Sequence, residues 1–184
     1  MLVREVIASA LILLGRAELA SALASGAGAE EEKDLTDTLL YCFNAVENEI
    51  ARNYIPLVYR EELLSKNNKF LYTSFSKTPL RVKKISGNGR SVNYEIFPDY
   101  LYAEADKIDI EYEYAPRRKR LDDAADFNDS VCTDIIPAGM AEEYSYINGE
   151  AEAGDIWKAK YRDLIDDIQR TLPECAHIPP RRWV

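Results

Sequence analysis

Residues 107–116 read KIDIEYEYAP, and the spacing in this stretch decides the fold. Ile108, Ile110, Tyr112 and Tyr114 fall at every second position, with Asp109, Glu111 and Glu113 between them. A strand turns successive side chains to opposite faces, so the alternation predicts a strand with one apolar face and one acidic, wet face. The apolar positions are β-branched or aromatic, the shapes that fill a pleated surface. Working outward, similar periodicity marks VYREELL (58–64), KFLYTSF (69–75), PLRVKKI (79–85), SVNYEIF (91–97) and DYLYAEA (99–105), with SGNGR (86–90) as a turn. Within these runs Leu80, Val82 and Ile85, and then Val92, Tyr94 and Ile96, are the apolar positions. Residues 57–116 therefore predict an antiparallel β meander with one solvated face. Nine of the twelve tyrosines precede residue 116, and their hydroxyls suit a half-exposed sheet.

The period changes to helical on either side. Residues 2–14 predict a helix that stops at Gly15, and residues 17–24 a short helical segment closed by SGAGA (25–29). The first 29 residues imitate a signal peptide, but Glu5, the early Gly15-Arg16 break and Glu18 favour a core helix instead. Residues 30–53 predict a long helix. Glu30, Glu31 and Glu32 suit its N-terminal end, and Leu35, Leu39, Phe43, Val46 and Ile50 lie along one face. Pro56 ends it. Past the sheet, Asn128 or Asp129 caps a helix over 130–147, which Pro137 either kinks or opens. NGE (148–150) is a turn, and 151–171 forms a last helix with Ala153, Trp157, Leu164 and Ile168 on one face, stopped by Pro173. The expected fold class is α+β in a single domain, 1–184. A helical bundle from the N- and C-terminal helices (1–56 and 128–173) carries the inserted meander (57–116), and 174–184 is an extended tail.

Composition narrows the function. The 184 residues are 47% hydrophobic and 30% charged, a globular balance, and the net charge of -9 disfavours broad attraction to DNA or anionic membranes. Cys42, Cys132 and Cys175 are widely spaced and form no C-x-x-C, so they read as reduced thiols. His177 is the only histidine, and the chain has no G-x-S-x-G, P-loop or G-x-G-x-x-G sequence. In LDDAADFND (121–129) and the residues after it, Asp126, Asn128 and Ser130 alternate like calcium ligands. Val131 then replaces the required glycine and Pro137 the required glutamate, which leaves a solvated loop and a helix cap. No catalytic, cofactor-binding or metal residues are expected. A pair of carboxylates acting as a small hydrolase is one alternative function, although no two acids stand out.

Two stretches point to partners. Arg117, Arg118, Lys119 and Arg120 form a basic cluster that reads as an exposed connector, as a charged seam against a protein, or as the nucleic-acid contact of a regulatory module. IPPRRWV (178–184) joins a stiff Pro179-Pro180 step to Arg181, Arg182 and Trp183, residue types enriched at binding hot spots. With Ile178, this tail either docks on a neighbour or folds back on its own bundle.

The whole arrangement resembles the head-to-tail connector (adaptor) proteins of tailed bacteriophages. The likeness runs through LTDTLLYCFNAVENEIARNYIPL (35–57), FSKTPLRVKKI (75–85), YEIFPDYLYAEADKIDIEYEYAP (94–116), MAEEYSYINGEAEAGDIWKAKYRDLI (140–165) and the IPPRRWV end. It covers nearly the full length, while the interrupted helix at Pro137 and the Ala/Gly-rich link at 24–29 depart from it. The resemblance implies a non-enzymatic virion protein of the neck, assembled in the bacterial cytoplasm. It implies a homo-oligomeric ring, typically of twelve copies, between the portal protein and a tail or nozzle protein. Genomic DNA would pass through the channel without sequence-specific binding, and no membrane is involved.

Overall fold

A computed structural model of the protein describes residues 1–25, 33–87 and 89–171. It is a mixed α+β structure. Among the described residues there are five α-helices: α1 (Val3–Leu13), α2 (Ala17–Ala24), α3 (Lys33–Asn53), α4 (Ile136–Ile147) and α5 (Ala151–Thr171). Seven strands, β1 (Leu57–Leu64), β2 (Lys69–Leu71), β3 (Thr78–Gly87), β4 (Arg90–Ser91), β5 (Tyr94–Ile96), β6 (Tyr100–Ala103) and β7 (Lys107–Ala115), form two antiparallel sheets. The expected start of the long helix at Glu30–Glu32, most of the SGAGA link, Cys175, His177 and the 174–184 tail lie outside the described residues.

Strand β7 is the stretch KIDIEYEYA. Its predicted faces hold: Ile108, Ile110, Tyr112 and Tyr114 are buried, and Asp109, Glu111 and Glu113 are half-buried on the other side. A strand with a continuous apolar face is best placed in the middle of a sheet, and β7 is flanked by β1 and β3 in the order β1-β7-β3-β4. The strands therefore do not run as a simple meander, because the first pairs with the last. Eight residues of β1 match β7 in unbroken register from Leu57↔Tyr114 to Leu64↔Lys107. That pairing returns the excursion to its starting point, so its entry at Leu57 and exit at Ala115 lie side by side near the end of α3.

Two expected strands are modified. KFLYTSF is a strand only to Leu71 and then forms a 3₁₀ turn at Tyr72–Ser74. The alternation of Leu80, Val82 and Ile85 is broken by register shifts between Pro79 and Arg81 and between Val82 and Lys84. Bulges of this kind insert a residue and reset which face follows. Strand β5 belongs to the second sheet, β2-β6-β5, where it is an edge, and Tyr94 and Ile96 are exposed rather than buried.

The helices share one apolar cluster and the strands another. Val6, Ile7 and Leu11 of α1, Leu39, Phe43, Val46 and Ile50 of α3, and Ile136 and Met140 of α4 are almost wholly buried together. Phe70, Leu101, Ile108, Ile110 and Tyr112 form the sheet cluster, and Leu57 packs against both. The expected helix over 130–147 forms as a continuous helical run over 129–147, with a π-helical turn at Val131–Ile135 ahead of α4 and Pro137 just after it. A proline inside a helix donates no N–H to the ladder, and the irregular turn falls where that bond is missing. Asn128 caps this segment, its Oδ1 accepting the Val131 N–H at 3.2 Å. Gly149, with φ +77, turns the chain from α4 into α5. On α5 the buried positions are Gly154, Tyr161 and Ile165, while Ala153, Trp157, Leu164 and Ile168 flank that stripe half-buried.

Candidate assembly surfaces

The predicted basic cluster begins directly after β7, where the chain crosses α3. Asn44 on α3 fixes it. Its Oδ1 accepts the Lys119 N–H at 2.6 Å, and its Nδ2 donates to the carbonyls of Leu40 at 2.7 Å and Lys119 at 3.3 Å. The Lys119 side chain consequently turns inward. It is 4% exposed and bonds Asp126 Oδ1 through Nζ at 2.7 Å. This corrects the expectation that all four basic residues form one outward cluster: Lys119 is a buried strut, and the outward face comprises Arg117, Arg118 and Arg120. Arg117 pairs with Asp123 at 3.3 Å, and the Arg120 N–H is held by the same carboxylate at 2.8 Å. The side chains of Arg118 and Arg120 are exposed and form no ion pair among the described residues.

Beneath this segment lies an acid that the sequence reading did not single out. Glu47 is wholly buried and accepts the Asp126 N–H at 2.8 Å on Oε1. Its Oε2 and the Oδ2 of Asp126 have no hydrogen-bond partner among the described residues. Burial pushes the Glu47 carboxyl up to about 7, against the opposing pull of the Asp126 amide and the Lys119 ammonium. A signal for it existed: Glu47 follows Phe43 by four residues and precedes Ile50 by three, which puts it on the apolar face of α3.

These contacts decide what the acids near 126 can do. Asp126 is engaged by Lys119 and Asn128 by its capping bonds, and no group of three or more potential metal ligands occurs among the described residues. Glu47 has no exposed surface, whereas a general acid must stand within hydrogen-bond reach of its substrate. Cys42 and Cys132 are buried free thiols, each pushed up to about 11, chiefly by burial. A thiol held protonated in this way is a poor nucleophile.

The sheets present open edges. Strand β1 is the outer strand of the four-stranded sheet, and Val58 and Leu64 on it are 45% and 76% exposed. Strand β5 ends the other sheet with Ile96 at 64%. Behind β1 the sheet is stiffened by Tyr112, whose hydroxyl donates to Glu61 Oε1 at 2.6 Å and accepts the Lys77 N–H at 3.2 Å. The tail residues Ile178, Pro179, Pro180, Arg181, Arg182 and Trp183 lie outside the described residues. No helix among the described residues is long and apolar enough to cross a membrane. No protein-family model matches this chain, and no curated protein matches its sequence.

Proposed function

We propose that this chain is a structural head-to-tail connector of a tailed bacteriophage, a virion protein of the neck rather than an enzyme. In this reading, helices from both ends of the chain form the bundle of a subunit and the β excursion projects from it. Copies assemble as a ring, twelve by the resemblance, with the portal protein on one face and a tail or nozzle protein on the other. DNA passes through the channel.

The observation that carries the reading is the open β1 edge. An eight-residue edge strand with exposed Val58 and Leu64 offers both unpaired backbone groups and apolar surface, a combination that monomeric proteins usually cover or blunt. It is suited to strand addition or apolar docking by another subunit. The net charge of -9 agrees with a channel along which DNA slides without adhering. The hydrolase alternative finds no use for Glu47, which is enclosed. The nucleic-acid alternative is disfavoured by the inward turn of Lys119 and the pairing of Arg117 with Asp123.

The test is direct. The purified protein, mixed with the portal protein of the same phage, should give ring-shaped complexes by negative-stain microscopy and mass photometry. Failure to bind that portal at micromolar concentrations of both proteins would refute the proposal.

A further inference from the structure

Between α3, α4 and α5 lies a cavity of about 230 Å³. Glu49, Glu142, Glu143, Lys158 and Arg162 surround it, and none of the five forms an ion pair among the described residues. Tyr161 lines it too. The residue is 4% exposed, and its buried hydroxyl has no hydrogen-bond partner among the described residues. Burial, followed by the fields of Glu49, Tyr54, Glu142 and Glu143, holds this phenol protonated. The cavity therefore presents three carboxylates against two cations, with an unused neutral hydroxyl in its wall. Its volume corresponds to roughly eight waters at about 30 Å³ each. A guest suited to these walls carries positive charge and several N–H donors. A guanidinium has both, with five donors in a planar fork and no acceptor.

The chain carries such a group on another surface. Arg118 and Arg120 are exposed and form no ion pair among the described residues, and the backbone between them is held by Asn44. Asn44 and Glu49 are five residues apart on α3, about 140° around the helix and about 7.5 Å along it. The arginine pair and the cavity thus lie on different sides of one helix. Contact between two unlike surfaces is heterologous, the type of interface that propagates around a ring.

We propose that this cavity is a socket for a guanidinium of a second copy of the chain, the neighbouring copy's Arg118 or Arg120, and that this contact carries ring assembly. In the bound state the carboxylates of Glu142 and Glu143 accept guanidinium N–H groups, and the Tyr161 oxygen accepts another. The choice of partner rests on the connector reading; the socket's preference for a guanidinium does not.

Two measurements on the full chain test it. In the first, arginine amide is titrated into ¹⁵N-labelled protein at low concentration. Saturable shifts are expected at the amides of Gly139 and residues 158–162, and they should be lost in Glu142→Gln/Glu143→Gln and weakened in Tyr161→Phe. Absence of saturable shifts there in the wild type overturns the proposal. In the second, self-association is followed by sedimentation velocity. The Arg118→Gln/Arg120→Gln variant alters only exposed side chains, and it should raise the concentration needed for assembly by about tenfold or more. A chain that stays monomeric at all concentrations, or that assembles equally well without the two arginines, also overturns it. Normal portal-bound rings lacking any dependence on these arginines would sink this inference and leave the connector reading standing. Arginine-dependent oligomers that bind no portal would do the reverse.

Discussion

Replacing Glu47 with glutamine should remove a pH dependence from the stability of this protein. Glu47 is fully buried, and its carboxyl is pushed from the ordinary 4.5 up to about 7. The folded chain therefore keeps a proton that the unfolded chain releases across that interval. Stability is greatest, as far as this group is concerned, below about pH 4.5 and is lost as pH rises through about 7. The interval from 4.5 to about 7, at about 1.36 kcal/mol per pH unit, amounts to about 3 kcal/mol. For a chain of this size that corresponds to a fall in Tm of about 6–12 °C. Glutamine keeps an oxygen to accept the Asp126 N–H and carries no ionisable group. The assay is urea unfolding of wild type and Glu47→Gln at half-unit steps from pH 5 to 8. The stability of the variant minus that of the wild type should rise by about 2.5 kcal/mol between pH 5 and 8, a difference that cancels contributions from other groups. Parallel profiles across this range would refute the reasoning, since they would mean that Glu47 is ionised in the folded protein throughout.

Three other outcomes follow from the packing. Lys119→Met should lower the unfolding free energy by about 3 kcal/mol in urea, because it leaves the Asp126 carboxylate poorly solvated and without its 2.7 Å partner. Gly139→Ala would place a methyl 2.8 Å from Val46 Cγ1 and 3.1 Å from the Tyr161 ring, and it should destabilise the helices by about 1–3 kcal/mol, read as a lower Tm. Deleting residues 178–184 should leave thermal melting unchanged but weaken assembly with the portal. A much lower Tm would show that Trp183 packs on its own subunit, and unchanged assembly would show that the tail is idle.

Much of the chain's local structure is written in short-range pattern. The period of two in KIDIEYEYA fixed which side chains of β7 are buried, and the spacing of Leu39, Phe43, Val46 and Ile50 fixed the inner face of α3. Both are single-element properties, set by where Cβ atoms point. On α5 the same reasoning was less complete. It found the flanking positions Trp157, Leu164 and Ile168 but missed Tyr161 and Ile165 at the centre of the stripe, because tyrosine is equally at home on a wet surface.

What sequence by itself determined, then, was the α+β order of the segments, the apolar faces of β7 and α3, and a helix cap at Asn128 or Asp129. Only the tertiary structure decided that β1 closes back on β7, that Lys119 points inward to Asp126, and that Glu47 and Tyr161 carry buried atoms without partners among the described residues. The reason is one of range. Side-chain direction within a helix or strand depends on neighbours two to four residues away, whereas the Asn44–Lys119 and Glu47–Asp126 bonds join residues 75 and 79 positions apart. A lysine in RRKR reads as solvent-exposed until folding brings α3 beneath it.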